Sequence, residues 1–175
     1  MADFKLKYPA TNADTVAITI SPASLATSST RVAGRQSTPV DNRTNLDLDH
    51  LVSGRVTLGT GTPVVSKSVE LWAFGPISVA SGTPTYPTPF STADADRSVD
   101  SENAKAAGLR LLWVGTSDAV NGRVLSIPPT SVAGVFGGVL PPFWGIWIVH
   151  DTGVALDFTA ANHVFHYHRI QGQSA

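Results

Sequence analysis

The side chains best equipped for chemistry are the histidines and one group of carboxylates. His166 and His168 stand two apart in "NHVFHYHRI", and His150 ends the apolar run that precedes them. Alternate residues of a strand share a face, so such a pair can chelate zinc or nickel. A site also needs a third or fourth ligand and an orienting shell, which the sequence does not supply. The same alternation sends Phe165 and Tyr167 to the opposite side, toward a core. The plainer expectation is that His166 and His168 line an outer face, with metal binding or a pH-sensitive contact as the other readings. "DADRSVD" brings Asp94, Asp96 and Asp100 into one loop. It lacks the glycine of a calcium loop, and Lys105 stands where the bidentate glutamate belongs. A solvated turn is expected, with a weak calcium site as the alternative.

Signatures of catalysis are absent from the sequence. There is no G-x-S-x-G, no P-loop, no dinucleotide fingerprint and no H-E-x-x-H. Ser117 and Asp118 in "GTSDA" read as a turn whose side chains bond local backbone. The expectation is a protein with no catalytic residues, no metal and no cofactor. Asn42-Arg43-Thr44 matches a glycosylation triplet, a short pattern without a secretory context.

The 175 residues suit one domain, long enough to bury roughly 70% of its unfolded surface. Charged residues make up 14% and the net charge is −1, so no global field favours nucleic acid or an anionic membrane. No apolar run reaches membrane-spanning length, and the polar opening "MADFKLKYPATNAD" predicts no signal peptide. With no cysteine, disulfides and thiolate metal sites are excluded. Abundant Gly, Pro, Ser and Thr favour strands and turns over long helices.

The elements that must position these residues follow from alternation and turn chemistry. "TVAITIS", "LDLDHLVSGRVTLG", "SVELWAFG", "LRLLWVG", "GRVLSI", "SVAGVFG", the run from Phe143 and "NHVFHYHRI" read as strands. "SVDSENAKAAG" reads as a short helix capped by Ser98 or Asp100 and stopped by Gly108. Eight or nine strands with at most one helix predict an all-β antiparallel sandwich, jelly-roll in type. Residues 46–175 are expected to form the sandwich and 1–45 an N-terminal strand plus an extended arm. The arm, Pro22 to Asn45, is rich in Ser, Thr and Ala and carries Arg31, Arg35 and Arg43 without an aromatic. It is expected to be disordered or laid on a neighbour, its arginines meeting acidic protein surfaces in preference to nucleic acid, since no base-stacking platform is present.

"LPPFWGIWIVHDTG" poses the main question. Phe143, Trp147 and Val149 load one face of a strand, and Trp144, Ile146 and Ile148 load the other. If one face packs on the opposite sheet, the second needs a cover, or it leaves a large apolar patch. Trp72 with Phe74 repeats the pattern. The cover is either the chain's own long segments (Pro22 to Asn45, Pro76 to Arg97) or a neighbouring protein.

The succession "SVELWAFGPI", "GVFGGVLPPFWGIWIVHDTGVAL" and "NHVFHYHRI" resembles a group of small tailed-bacteriophage virion proteins, over roughly Leu46 to Ile170. In that group a valine-rich strand end precedes an Asn/His-Asp-Thr-Gly turn and a closing strand with histidine. The resemblance implies a non-enzymatic head decoration (cement) protein on the capsid surface, made in the bacterial host's cytoplasm. It implies binding to the major capsid protein and to itself as a homo-oligomer, possibly a trimer, without nucleic acid or membrane as partner. The residues expected at such interfaces are Trp72, Trp144, Ile146, Trp147 and Ile148 in the sheets, with Arg31, Arg35 and Arg43 in the arm. A tail or neck protein is one alternative. A carbohydrate-binding sandwich is another, with Trp72, Tyr86 and Phe90 as its aromatic row.

Overall fold

The computed structural model describes residues 4–7 and 15–174. One antiparallel sheet contains β1 (Phe4–Lys7), β2 (Thr15–Ala17), β5 (Asp49–Thr57), β11 (Val124–Ser131) and β13 (Val164–Ser174). It runs β1-β13-β5-β11, with β2 beside β1 on the same flank of β13. The second sheet contains β3 (Ala33–Gln36), β4 (Val40–Asp41), β6 (Ser68–Phe74), β9 (Ala95–Ser98), β10 (Arg110–Thr116) and β12 (Phe143–His150). Its order is β10-β6-β12-β3-β9, with β4 also on β12. The strands β7 (Ser78–Ala80) and β8 (Thr83–Thr85) pair only with each other. The all-β antiparallel sandwich expected from the sequence is the fold.

The chain crosses repeatedly between the sheets, and the core lies where their inner faces meet. From β6 it receives Val69, Leu71 and Ala73, and from β12 Trp144, Ile146 and Ile148, all fully buried. Val52, Val56, Phe165 and Tyr167 come from the other sheet. Each such side chain stabilises the fold by about 1.5–3 kcal/mol. The alternation along β12 is as the sequence reads, but the face that meets the core is the Trp144 face.

The second face of β12 is covered by the chain itself. Phe143, Trp147 and Val149 pack with Phe74, Tyr86, Phe90, Val99 and Leu109 in a separate buried cluster. Phe90 stacks on Phe74 at 4.6 Å and meets Trp147 edge-on at 6.2 Å. The proline-punctuated segment after β6 is therefore a strap over the outer face of the sheet. It is tied down by Gln36 on β3, whose Nε2 donates to the carbonyls of Ser91 and Ala93 and whose Oε1 accepts from Ser91 N. The seam is packed more completely than it is hydrogen-bonded, because Tyr86 Oη and Trp147 Nε1 are buried without a hydrogen-bond partner among the described residues. Burial pushes the Tyr86 hydroxyl up to about 12.

The rest of that face lies under α1 (Glu102–Gly108). The helix is capped by Ser101, whose Oγ accepts from Ala104 N, and not by Ser98 or Asp100. Its Lys105 is 2% exposed, donates to Glu70 Oε2 at 2.8 Å and lies over the Trp72 ring. Glu70 also accepts from Trp72 Nε1 and pairs with Arg31. A buried charge needs such a complete set of partners to be tolerated.

Two expectations about elements are corrected. "SVAGVFG" does not continue as a strand; it forms a second short helix, α2 (Val132–Val135). Asp49 on β5 takes Ala133 N and Ser131 Oγ at the start of this helix, so a distant carboxylate completes its cap. Residues 22–45 are not laid outside the sandwich. Within them β3 and β4 are strands on β12, and Ser28, Asn42 and Ser37 bond backbone of the same sheet and its loops. The physical reason is Gly34, where a Cβ would stand 2.2 Å from Ile148 O. Only a residue without a side chain lets β3 approach β12 this closely.

Candidate interaction surface

The residues expected at interfaces divide into two groups in the structure. Trp144, Ile146, Trp147 and Ile148 are fully buried inside the chain. They hold the two faces of β12 to the opposite sheet and to the strap, so they are core residues and offer nothing to a partner. Trp72 is half-buried beside Lys105, on the outer face of β6. The arginines are engaged within the chain: Arg31 with Glu70 and Glu102, Arg35 with Asp94 and Asp96, Arg43 with Asp41. Arg43 also lies over the Phe143 ring, 4.4 Å from its centre. The partners of Arg35 are two of the carboxylates read from "DADRSVD", of which Asp96 is on β9 and not in a solvated turn.

Tyr86 and Phe90, two of the three aromatics considered for sugar stacking, are each 8% exposed. They pin the strap to the sheet and do not form an exposed row with Trp72. His166 and His168 lie on the outer side of β13, half-buried, and His168 bonds Thr15 Oγ1 and Ser53 Oγ. Among the described residues no three His, Asp or Glu side chains group as metal ligands.

The arrangement most unlike a plain sandwich lies at the end of the molecule near Asp47, which the sequence reading did not single out. Asp47 is buried and receives Arg169 Nε at 2.7 Å, Gln171 Nε2 at 2.8 Å and the His50 ring at 2.9 Å. Trp144 Nε1 donates to His50 Nδ1 at 2.9 Å. Because an indole can only donate, Nδ1 must accept, and the His50 proton sits on Nε2 facing Asp47. Burial pushes the Asp47 carboxyl up, but the hydrogen bonds from Arg169, His50 and Gln171 outweigh it and hold it below its usual range. Burial pulls His50 below its usual value, opposed by its bond to Asp47. The set fixes where two loops sit.

Above this cluster two loops present apolar side chains to solvent. Asn42 clamps its loop by donating to Asp47 O and accepting from Asp47 N, both at 3.0 Å. Asn42 N also reaches Pro142 O, which joins that loop to the one after α2. At the surface Leu46 is 75% exposed, Val139 73% and Leu48 43%. Leu46, Leu140 and Pro142 line a hollow of about 300 Å³ with Arg43. Leu46 has φ of +51°, a left-handed conformation that costs a residue with a Cβ about 1–2 kcal/mol. Leu46 is thus an apolar side chain held outward in a left-handed conformation. Its sequence signal is slight, since "NRTNLDLD" reads as a turn before a strand. No family model, no curated protein and no solved structure matches this chain.

Proposed function

We propose that this chain is a non-enzymatic structural subunit of a tailed-bacteriophage particle, and specifically a head decoration protein that attaches to the major capsid protein. The observation that carries the attachment is the hollow lined by Leu46, Leu140 and Pro142, with exposed Leu46 and Val139 on its two loops and Asn42 bonded to Asp47 beside it. The virion setting rests on the resemblance, whose quoted motifs fall on framework elements of the sandwich: β6, β12 and the first half of β13. In this reading Trp144, Ile146, Trp147 and Ile148 build the scaffold, and the loops at its end make the contact.

The experiment is a mass-spectrometric inventory of purified particles, followed by add-back of the chain to particles that lack it. Leu46→Asp combined with Val139→Asp should leave the melting temperature unchanged and weaken attachment by about tenfold or more, as expected for two apolar side chains worth about 1.5–3 kcal/mol each. Absence of the chain from particles defeats the virion reading. Unchanged attachment of the double variant defeats the assignment of the surface.

A further inference from the structure

An asparagine loses ammonia spontaneously when the backbone nitrogen of the next residue attacks its side-chain carbonyl carbon. Two groups must be available for that: the side-chain amide itself and the following N–H. A glycine in the next position favours the attack, because it has no Cβ to hinder the approach and its backbone is free to adjust. The chain has six asparagines, of which Asn12 lies outside the described residues.

At four of the other five the attacking nitrogen is already engaged. After Asn42, Arg43 N donates to Asp41 Oδ1, and after Asn45, Leu46 N donates to Asn42 O. After Asn103, in α1, Ala104 N donates to the capping Ser101 Oγ. After Asn162, His163 N donates to Ala160 O. The Asn42 amide is also buried against Asp47, and that of Asn162 donates to Asp157.

Asn121 is the exception. It stands in the chain's single Asn-Gly pair, and both residues are exposed in the turn between β10 and β11. Among the described residues nothing bonds Gly122 N or the Asn121 side chain. Gly122 has φ of +65°, and a Cβ built there would meet nothing within 4 Å. Glycine suits the turn because it takes this φ without strain, and the same residue leaves the attacking nitrogen uncovered.

We propose that Asn121 is a site of spontaneous deamidation, with water as the only co-reactant. Gly122 N bonds to Asn121 Cγ, the bond from Cγ to Nδ2 breaks, and Nδ2 leaves as ammonia with the proton that Gly122 N gives up. Water then adds to one of the two carbonyls of the resulting five-membered imide and opens it. One opening gives aspartate on the original main chain, the other isoaspartate, whose main chain is one methylene longer. Both replace a neutral amide by a carboxylate and add one negative charge to the chain's −1. The new charge enters the turn that already holds the Asp118–Arg123 pair. That turn links a strand of one sheet to a strand of the other, so isoaspartate lengthens a crossing between the layers at an exposed point. The reaction belongs to the chain whatever particle it serves, and so goes beyond the attachment reading.

The test is to hold the purified full chain at mildly alkaline pH, folded and in urea, and to follow intact mass and a peptide map. Labelling with an isoaspartyl methyltransferase marks the longer product. A gain of about 1 Da per molecule, amide to carboxylate, is expected at Asn121. The folded rate should be close to the rate in urea, because the turn withholds neither group. At Asn42, Asn45, Asn103 and Asn162 the folded chain should be protected. Gly122→Ala should slow the reaction by about tenfold or more, and Asn121→Gln, which would need a larger ring, should stop it. Circular dichroism of both variants should match that of the unmodified chain. The proposal is overturned if folding slows loss at Asn121 by more than about tenfold. It is equally overturned if the four engaged asparagines react as fast in the folded chain, or if Gly122→Ala ages at an unchanged rate.

Discussion

Mild acid should weaken this fold well before its carboxylates titrate, and His50 and His150 should be responsible. Both are buried, His50 at 1% exposure and His150 at 0%. Burial pulls His50 below its ordinary value, with Asp47 opposing, Arg169 adding to the lowering, and Asp49 opposing. Burial likewise lowers His150, against its hydrogen bond to the Leu25 carbonyl and the charge of Asp151. For His50 the geometry gives the reason. Trp144 Nε1–H occupies the Nδ1 lone pair, so a second proton there would face another donor within the core. The Tyr167 ring lies tilted against it, 4.3 Å between centres.

A histidine whose value is lowered on folding binds its proton more readily in the unfolded chain. Its contribution is full at high pH and is lost as pH falls below about 6.5, down to the folded value. The slope for each histidine approaches about 1.4 kcal/mol per pH unit only well below pH 6.5, so between pH 6.5 and 5.5 each costs at most about 1 kcal/mol and the pair at most about 2 kcal/mol. That is a large share of the 5–15 kcal/mol typical of a domain. Asp47, held below its ordinary value, acts only below about pH 4, so the two windows separate. Urea unfolding at pH 7.0, 6.5, 6.0 and 5.5 measures the slope. His50→Gln keeps an acceptor for Trp144 and a donor for Asp47 but cannot titrate, and it should remove about half of the slope. Equal slopes in the two proteins, or none in either, would refute the assignment.

Gly34→Ala should prevent β3 from docking, because its Cβ would meet the Ile148 carbonyl at 2.2 Å. We expect a loss of about 3 kcal/mol or more, with hydrogen-exchange protection lost first in residues 33–41; a melting temperature equal to that of the unmodified protein would show that the sheet yields there. Trp147→Ala should cost about 3–5 kcal/mol and loosen the strap, read as faster proteolysis between Pro76 and Arg97. Cleavage there at an unchanged rate would mean that the strap is held by the Gln36 bonds alone.

How much of this was legible in the sequence depends on which signal each element carries. The two-sided load of β12 is a period-two pattern in strongly apolar residues, and it reads correctly from Phe143 to Val149. The identity of the cover does not read, because Tyr86 and Phe90 sit among prolines with no period to say which face they reach. The arm was misplaced for a related reason. β3 is "AGRQ", without a β-branched or aromatic residue. What puts it in the sheet is a close approach allowed by Gly34 and the amide of Gln36, both visible only against β12 and the strap. The helical turn at Val132 depends on Asp49, more than 80 residues away, and no local rule includes it. The cluster under the apolar end escaped notice because Asp47 and His50, three residues apart, are individually ordinary, and the Arg169 that joins them lies 122 residues from Asp47.

Coverage of β12 from within also changes where a partner can bind. A sandwich whose central strand is buried on both faces, against the other sheet and against its own strap, has no sheet face left at its middle to offer. What remains are loop ends and strand edges. Ends are hard to read from sequence, because their shape depends on how loops are clamped, here by Asn42 across to Asp47. Edges are easier, because their guards are charges and prolines that appear in the sequence itself.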